Sequence, residues 1–84
     1  MNNKHRNILI LIFSQPAPKT LAWLAIEGLL EAAGAKTIEG RGSRVRFELN
    51  GVVATFHRPH PDKEAMPYQV RDARSFLAQA GVTP

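Results

Sequence analysis

Two histidines, His57 and His60, stand in a stretch that also carries Arg41, Arg44, Arg46, Arg58 and Lys63. Histidine is the side chain whose ordinary pKa lies nearest neutrality, so it can take a proton from a ribose 2′-hydroxyl or give one to a leaving oxygen. Guanidinium groups offer a planar fork that matches phosphate oxygens, and cations stabilise the charge of a phosphorane. His57 and His60 with Arg44 and Arg58 therefore supply the group types that metal-independent RNA cleavage requires. The same residues would also suit a plain solvated strand face, so their placement decides between the readings.

Other constellations are weaker. His57-Arg58-Pro59-His60 makes a poor metal site, because the prolines forbid a helix and there is no cysteine to add a thiolate. No metal and no other cofactor is expected. The backbone amides of Gly40-Arg41-Gly42-Ser43 could cradle a phosphate, although a glycine-rich turn is more often only a turn. Trp23 sits on an apolar stripe and reads as core, while Asp62 and Glu64 read as the acidic approach to the last helix.

The elements that must position these groups follow from periodicity. Asn3 to Phe13 reads as a helix capped by Asn2 or Asn3 and stopped by Pro16 and Pro18, although six consecutive apolar residues would also suit a buried strand. So apolar a helix must be covered on more than one side, which points to a docked partner or a second copy through the Ile8–Phe13 ridge. Thr20 offers the cap for a second helix over Leu21 to Ala33, with Trp23, Ile26, Leu30 and Ala33 on its buried side, Glu27 and Glu31 on the other, and Gly34 as its stop. Gly28 within it marks close packing against a neighbour.

The period then changes to two. Lys36 to Glu39, Arg44 to Leu49 and Val52 to His57 read as strands, the last two joined by Asn50-Gly51, a strong type I′ hairpin signal. That turn sets Leu49 opposite Val52, Phe47 opposite Ala54 and Val45 opposite Phe56 on an apolar face. On the other face Glu48 meets Val53, Arg46 meets Thr55, and Arg44 meets His57 with Cβ atoms about 5 Å apart. Arg58 to Lys63 is a loop stiffened by two prolines. A last helix over Tyr68 to Ala80 buries Val70, Ala73, Phe76, Leu77 and Ala80 and wets Arg71 and Arg74. The expected fold is α+β in the order α-α-β-β-β-α, an antiparallel three-stranded sheet with helices on one face.

Composition narrows the class. The 84 residues allow one domain, 1–84, with a helical addition at 1–15 and a core over 20–84. Lys and Arg outnumber Asp and Glu by 11 to 7, giving a net charge of +4 that favours a polyanionic partner. Absence of cysteine suits a reducing compartment, and the Ile8–Phe13 run falls short of the ~20 apolar residues of a membrane span. A cytoplasmic protein without membrane contact is expected.

Leu29-Leu30-Glu31-Ala32-Ala33-Gly34-Ala35, Gly42-Ser43-Arg44-Val45-Arg46-Phe47, Asn50-Gly51, Pro59-His60-Pro61 and Gly81 together resemble the HicA toxin family, from about Trp23 to the C-terminus. The resemblance implies a fold like that of double-stranded-RNA-binding domains, mRNA interferase (endoribonuclease) activity, and a HicB-like antitoxin that covers the active face. The family usually carries its catalytic histidine just after the Gly-Ser; here that position is Arg44. The proton-moving role then falls to His57, across the hairpin from Arg44, or to His60, which matches the family's His-Pro. Arg41, Ser43, Arg44, Arg46, Arg58 and Lys63 are the expected RNA contacts. The leading expectation is a toxin that binds and cleaves mRNA; the alternatives are a catalytically silent RNA-binding module and a protein-interaction subunit.

Overall fold

The computed structural model describes residues 1–60 and 63–84, arranged as α1 (Asn3–Phe13), α2 (Trp23–Ala32), β1 (Lys36–Glu39), β2 (Arg44–Leu49), β3 (Val52–His57) and α3 (Pro67–Gln79). Pro61 and Asp62 lie outside the described residues, and with them part of the expected Arg58–Lys63 loop and the Asp62–Glu64 pair. The order is the expected α-α-β-β-β-α, with an antiparallel sheet in the order β1-β2-β3.

Register follows from the turn. Asn50 and Gly51 both take positive φ, 51° and 81°, as a type I′ turn demands. Arg44 then pairs with His57, Arg46 with Thr55 and Glu48 with Val53. Alternation does the rest: Val45, Phe47, Leu49 and Phe56 are buried, while Arg44, Arg46, Val53, Thr55 and His57 are exposed. A one-residue slip would drive the charged row into the core, so the register is firmly specified. β1 adds a third column, Lys36 beside Glu48 and Ile38 beside Arg46.

The core centres on three rings. Trp23 stands 5.3 Å from Phe56, and Phe47 meets Phe56 nearly edge-on at 5.9 Å. Around them Ile26, Leu29 and Leu30 of α2 and Val70, Ala73, Phe76 and Leu77 of α3 are buried. This leaves the opposite face of the sheet uncovered.

α2 begins two residues later than the expected start and without the expected Thr20 cap. Leu21 and Ala22 are extended and bridge the segment before α3: Ala65 N–H donates to the Leu21 carbonyl at 2.8 Å, and Trp23 N–H to that of Lys63. The free amide at the helix start is thus satisfied by backbone, and Ala22 occupies the cap position.

α1 packs chiefly against α2 and α3. Leu9 and Ile12 are buried, whereas Ile10 and Leu11 are 49% and 40% exposed, so this chain alone covers only one side of the ridge. A Cβ at Gly28 would lie 3.6 Å from the His5 imidazole, confirming the close neighbour read from that glycine. Arg74 is not simply wet. Its Nε donates to the Ile12 carbonyl at 2.8 Å, and Nη2 donates to that of Ser14, placing a cation at the C-terminus of α1. Among the described residues no helix is long and apolar enough to cross a membrane.

Candidate functional site

The open face of the sheet is hollowed at the end where β1 turns into β2. Ile38, Glu39, Gly40, Arg44, Arg46, Thr55 and His57 line a depression of about 470 Å³, within the range of small-ligand sites. Arg44 and His57 form its end row, directly across the β2–β3 ladder from one another. One row along lie Arg46 and Thr55, with Ile38 completing the floor.

The turn before Arg44 is built to let this row form. Gly40 N–H donates to the Arg44 carbonyl at 2.9 Å, and Arg44 N–H to that of Arg41 at 3.0 Å. A Cβ at Gly40 would lie 3.0 Å from the Arg44 carbonyl oxygen and 3.2 Å from its Cβ, so any side chain would push against the stem of Arg44. Gly42 completes the turn with φ 58°. Arg41 and Ser43 are exposed on this turn, at the edge of the depression rather than lining it.

The alternation that exposes His57 turns its neighbour the other way. Arg58 Nε and Nη2 donate to Glu27 at 3.0 and 2.7 Å, while Nη1 and Nη2 donate to Glu39 of β1. Glu27 also accepts from the buried Trp23 indole N–H at 2.8 Å. Arg58 is thereby committed to two carboxylates and does not line the depression. Its hydrogen bonds hold the Glu39 carboxyl below its ordinary value, and Glu39 and Glu27 together raise the pKa of Arg58.

The carbonyl of His57 is gripped from below. Gln69, 1% exposed, donates through Nε2 to the His57 carbonyl at 2.8 Å and accepts through Oε1 from Met66 N–H at 2.9 Å. Arg58 N–H donates to the Ser43 carbonyl at 2.8 Å, extending the ladder one residue past the strand end. The backbone on both sides of the His57 side chain is therefore fixed while its ring faces the depression.

Of the expected site residues, Arg44, Arg46 and His57 are brought together. His60 and Lys63 are exposed on the following loop, outside the depression, where the His60 carbonyl accepts from Lys63 N–H at 2.8 Å. Gly40, from the glycine-rich turn, lines the depression as well, together with Ile38, Glu39 and Thr55, which the sequence does not single out as site residues. Extending the alternation of β2 across to β1 is the signal that places Ile38 beside Arg46. Among the described residues no three histidine, aspartate or glutamate side chains are grouped to hold a metal ion.

What the hollow offers is two exposed guanidinium groups and an imidazole on one rigid face. Such a set can bind phosphate oxygens and exchange a proton. No curated protein and no solved structure is significantly similar to the chain. A family model described as the HicA toxin of bacterial toxin-antitoxin systems matches residues 23–82, from the first residue of α2 to just past α3.

Proposed function

The chain belongs to the HicA toxin family of bacterial toxin-antitoxin systems, which implies a HicB-type antitoxin as partner, and we propose that it acts by binding and cleaving mRNA on the open face of the sheet. The observation that carries this reading is the pairing of Arg44 with His57 at the end row of the depression, with Arg46 one row away. Arg44 takes the place where the family usually has its histidine, and His57 supplies an imidazole directly across the ladder.

In this reading Arg44 and Arg46 hold phosphate oxygens, and His57 moves the proton. His57 accepts the proton of a ribose 2′-hydroxyl as its oxygen attacks the adjacent phosphorus. The bond from phosphorus to the 5′-oxygen breaks, and that oxygen leaves with a proton returned from the imidazolium or from water. The products are a 2′,3′-cyclic phosphate end and a 5′-hydroxyl end. Arg44 beside the reacting phosphate stabilises the charge that gathers there.

Induction in bacterial cells of the wild type, His57→Ala and His60→Ala tests the assignment. Growth arrest and RNA breakage should be lost with His57→Ala and kept with His60→Ala, which lies outside the depression. Arrest and breakage persisting in both variants would refute the histidine mechanism. A wild type that binds RNA and leaves it intact would favour the second reading, a non-cleaving binder, which the Arg44-for-histidine replacement supports.

A further inference from the structure

Along β2 the outward side chains run Arg44, Arg46, Glu48, two basic residues followed by an acidic one. Residues i and i+2 of a strand stand about 6.8 Å apart, a spacing of the same order as that between consecutive phosphates of a nucleic-acid strand. Arg44 and Arg46 can thus each meet one of two successive phosphates. The next row along is different. Glu48 faces Val53 on one side and Lys36 on the other, and its carboxylate lies 3.6 Å from Arg46 Nε.

Both groups of that ion pair are well exposed, at 49% and 39% of their side chains, so the contact is weak and Arg46 remains available to an anion. The charge of Glu48 still acts on whatever lies over the sheet. A third phosphate continuing along β2 would approach the Glu48 carboxylate and the apolar surface of Val53, which is 55% exposed. The one cation of that row, Lys36 on β1, stands directly beside Glu48, so the row offers an anion no net positive charge. Neither Glu48 nor Val53 lines the depression, whose residues end at the Arg46–Thr55 row.

We infer that Glu48 closes the anion-binding face by cancelling the charge of its row, so that the sheet attracts a stretch of RNA backbone only about two phosphates long and gains little from a third. This inference rests on the reading that RNA binds this face. It makes Glu48 a residue that limits footprint and salt dependence while touching no reacting atom. It also makes the recognised ligand a short single-strand segment; a duplex-binding domain must instead contact successive grooves over about 16 base pairs.

The test uses 2′-O-methyl oligouridylates, which have no 2′-hydroxyl to attack with, at lengths from dinucleotide to octanucleotide. Binding is read by fluorescence anisotropy over a salt series for wild type, Glu48→Gln and Glu48→Lys. Wild-type affinity should rise from dinucleotide to trinucleotide and change little beyond, with a salt slope near −1.4 for two phosphates on a single strand. For longer strands, Glu48→Gln should bind up to about threefold tighter at low salt and Glu48→Lys up to about sevenfold, from one or two unit charges removed about 7 Å away in water. Glu48→Lys should also steepen the slope by about 0.7, one phosphate more. Equal slopes and affinities in all three proteins, with the wild type binding, overturn the role of Glu48 and leave RNA binding standing. Absence of binding by all three overturns both.

Discussion

The guanidinium of Arg58 meets the carboxylate of Glu27 through two parallel hydrogen bonds, Nε to Oε1 at 3.0 Å and Nη2 to Oε2 at 2.7 Å, and so ties the end of β3 to α2. Glu39 takes the other side of the same guanidinium and ties in β1. One arginine therefore joins three elements directly behind the depression. The residue beside it, His57, faces the opposite way into the open.

Arg58 is consequently expected to matter for folding more than for contact with a ligand. Arg58→Ala should destabilise the domain by about 1–3 kcal/mol in urea unfolding, because Glu27, with its side chain 13% exposed, loses its charged partner. Arg58→Lys should recover only part of this, since a single ammonium cannot reproduce the planar fork. Arg44→Ala, an exposed change, should leave stability nearly untouched. Equal stability of wild type and Arg58→Ala would show that the clamp contributes nothing.

Acid should loosen the same clamp. The Arg58 hydrogen bonds hold the Glu39 carboxyl below its ordinary value of 4.5. A carboxyl depressed in the folded state contributes stability that is fully present above its unfolded value and is lost as pH falls through the folded one. The Glu39 contribution should therefore persist at neutrality and fade below about pH 4.5. Glu39→Gln should flatten that part of an acid-unfolding curve. An unchanged acid limb would show that Glu39 is not linked to folding.

Gln69 gives a second support for His57, from α3. Gln69→Leu leaves the His57 carbonyl and the Met66 amide without their side-chain partner, so a loss of about 1–3 kcal/mol is expected. Hydrogen exchange should also speed at the end of β3 relative to Phe47 in the central strand β2. Uniform protection in the variant would mean that Gln69 fills space and does not hold the strand end.

The parts of this fold that were legible in the sequence are those with a strong local signal. Asn50-Gly51 between two runs of period two specified the hairpin, the register and the Arg44–His57 pairing, all of which the structure shows. The packing of α1 was less readable, because an all-round apolar helix does not say which side meets its own chain; here Leu9 and Ile12 do.

The polar ties that cross between elements left weaker traces. Glu27 looked like a solvent-facing residue, yet it lies four residues after Trp23, and a buried indole N–H needs an acceptor. Gln69 stands three residues after Met66, the spacing at which a side chain reaches back to the first amide of a helix. Thr20 failed as a cap because the backbone at Leu21 and Ala22 is taken up by pairing with the segment before α3, a contact between residues some 40 positions apart. Arg74 reads as wet from sequence because nothing near it announces the carbonyls of α1.

Mapping a short RNA onto the protein by NMR tests the central claim most directly. On titration with a 2′-O-methyl trinucleotide at low salt, the amide and side-chain signals of Ile38, Gly40, Arg44, Arg46, Thr55 and His57 should shift most. Those of Lys19, Arg71 and Arg74, in the proline-lined cleft between the α1–α2 linker and α3, should move little. Largest shifts in that cleft or on α1, with the sheet face unmoved, would contradict the account.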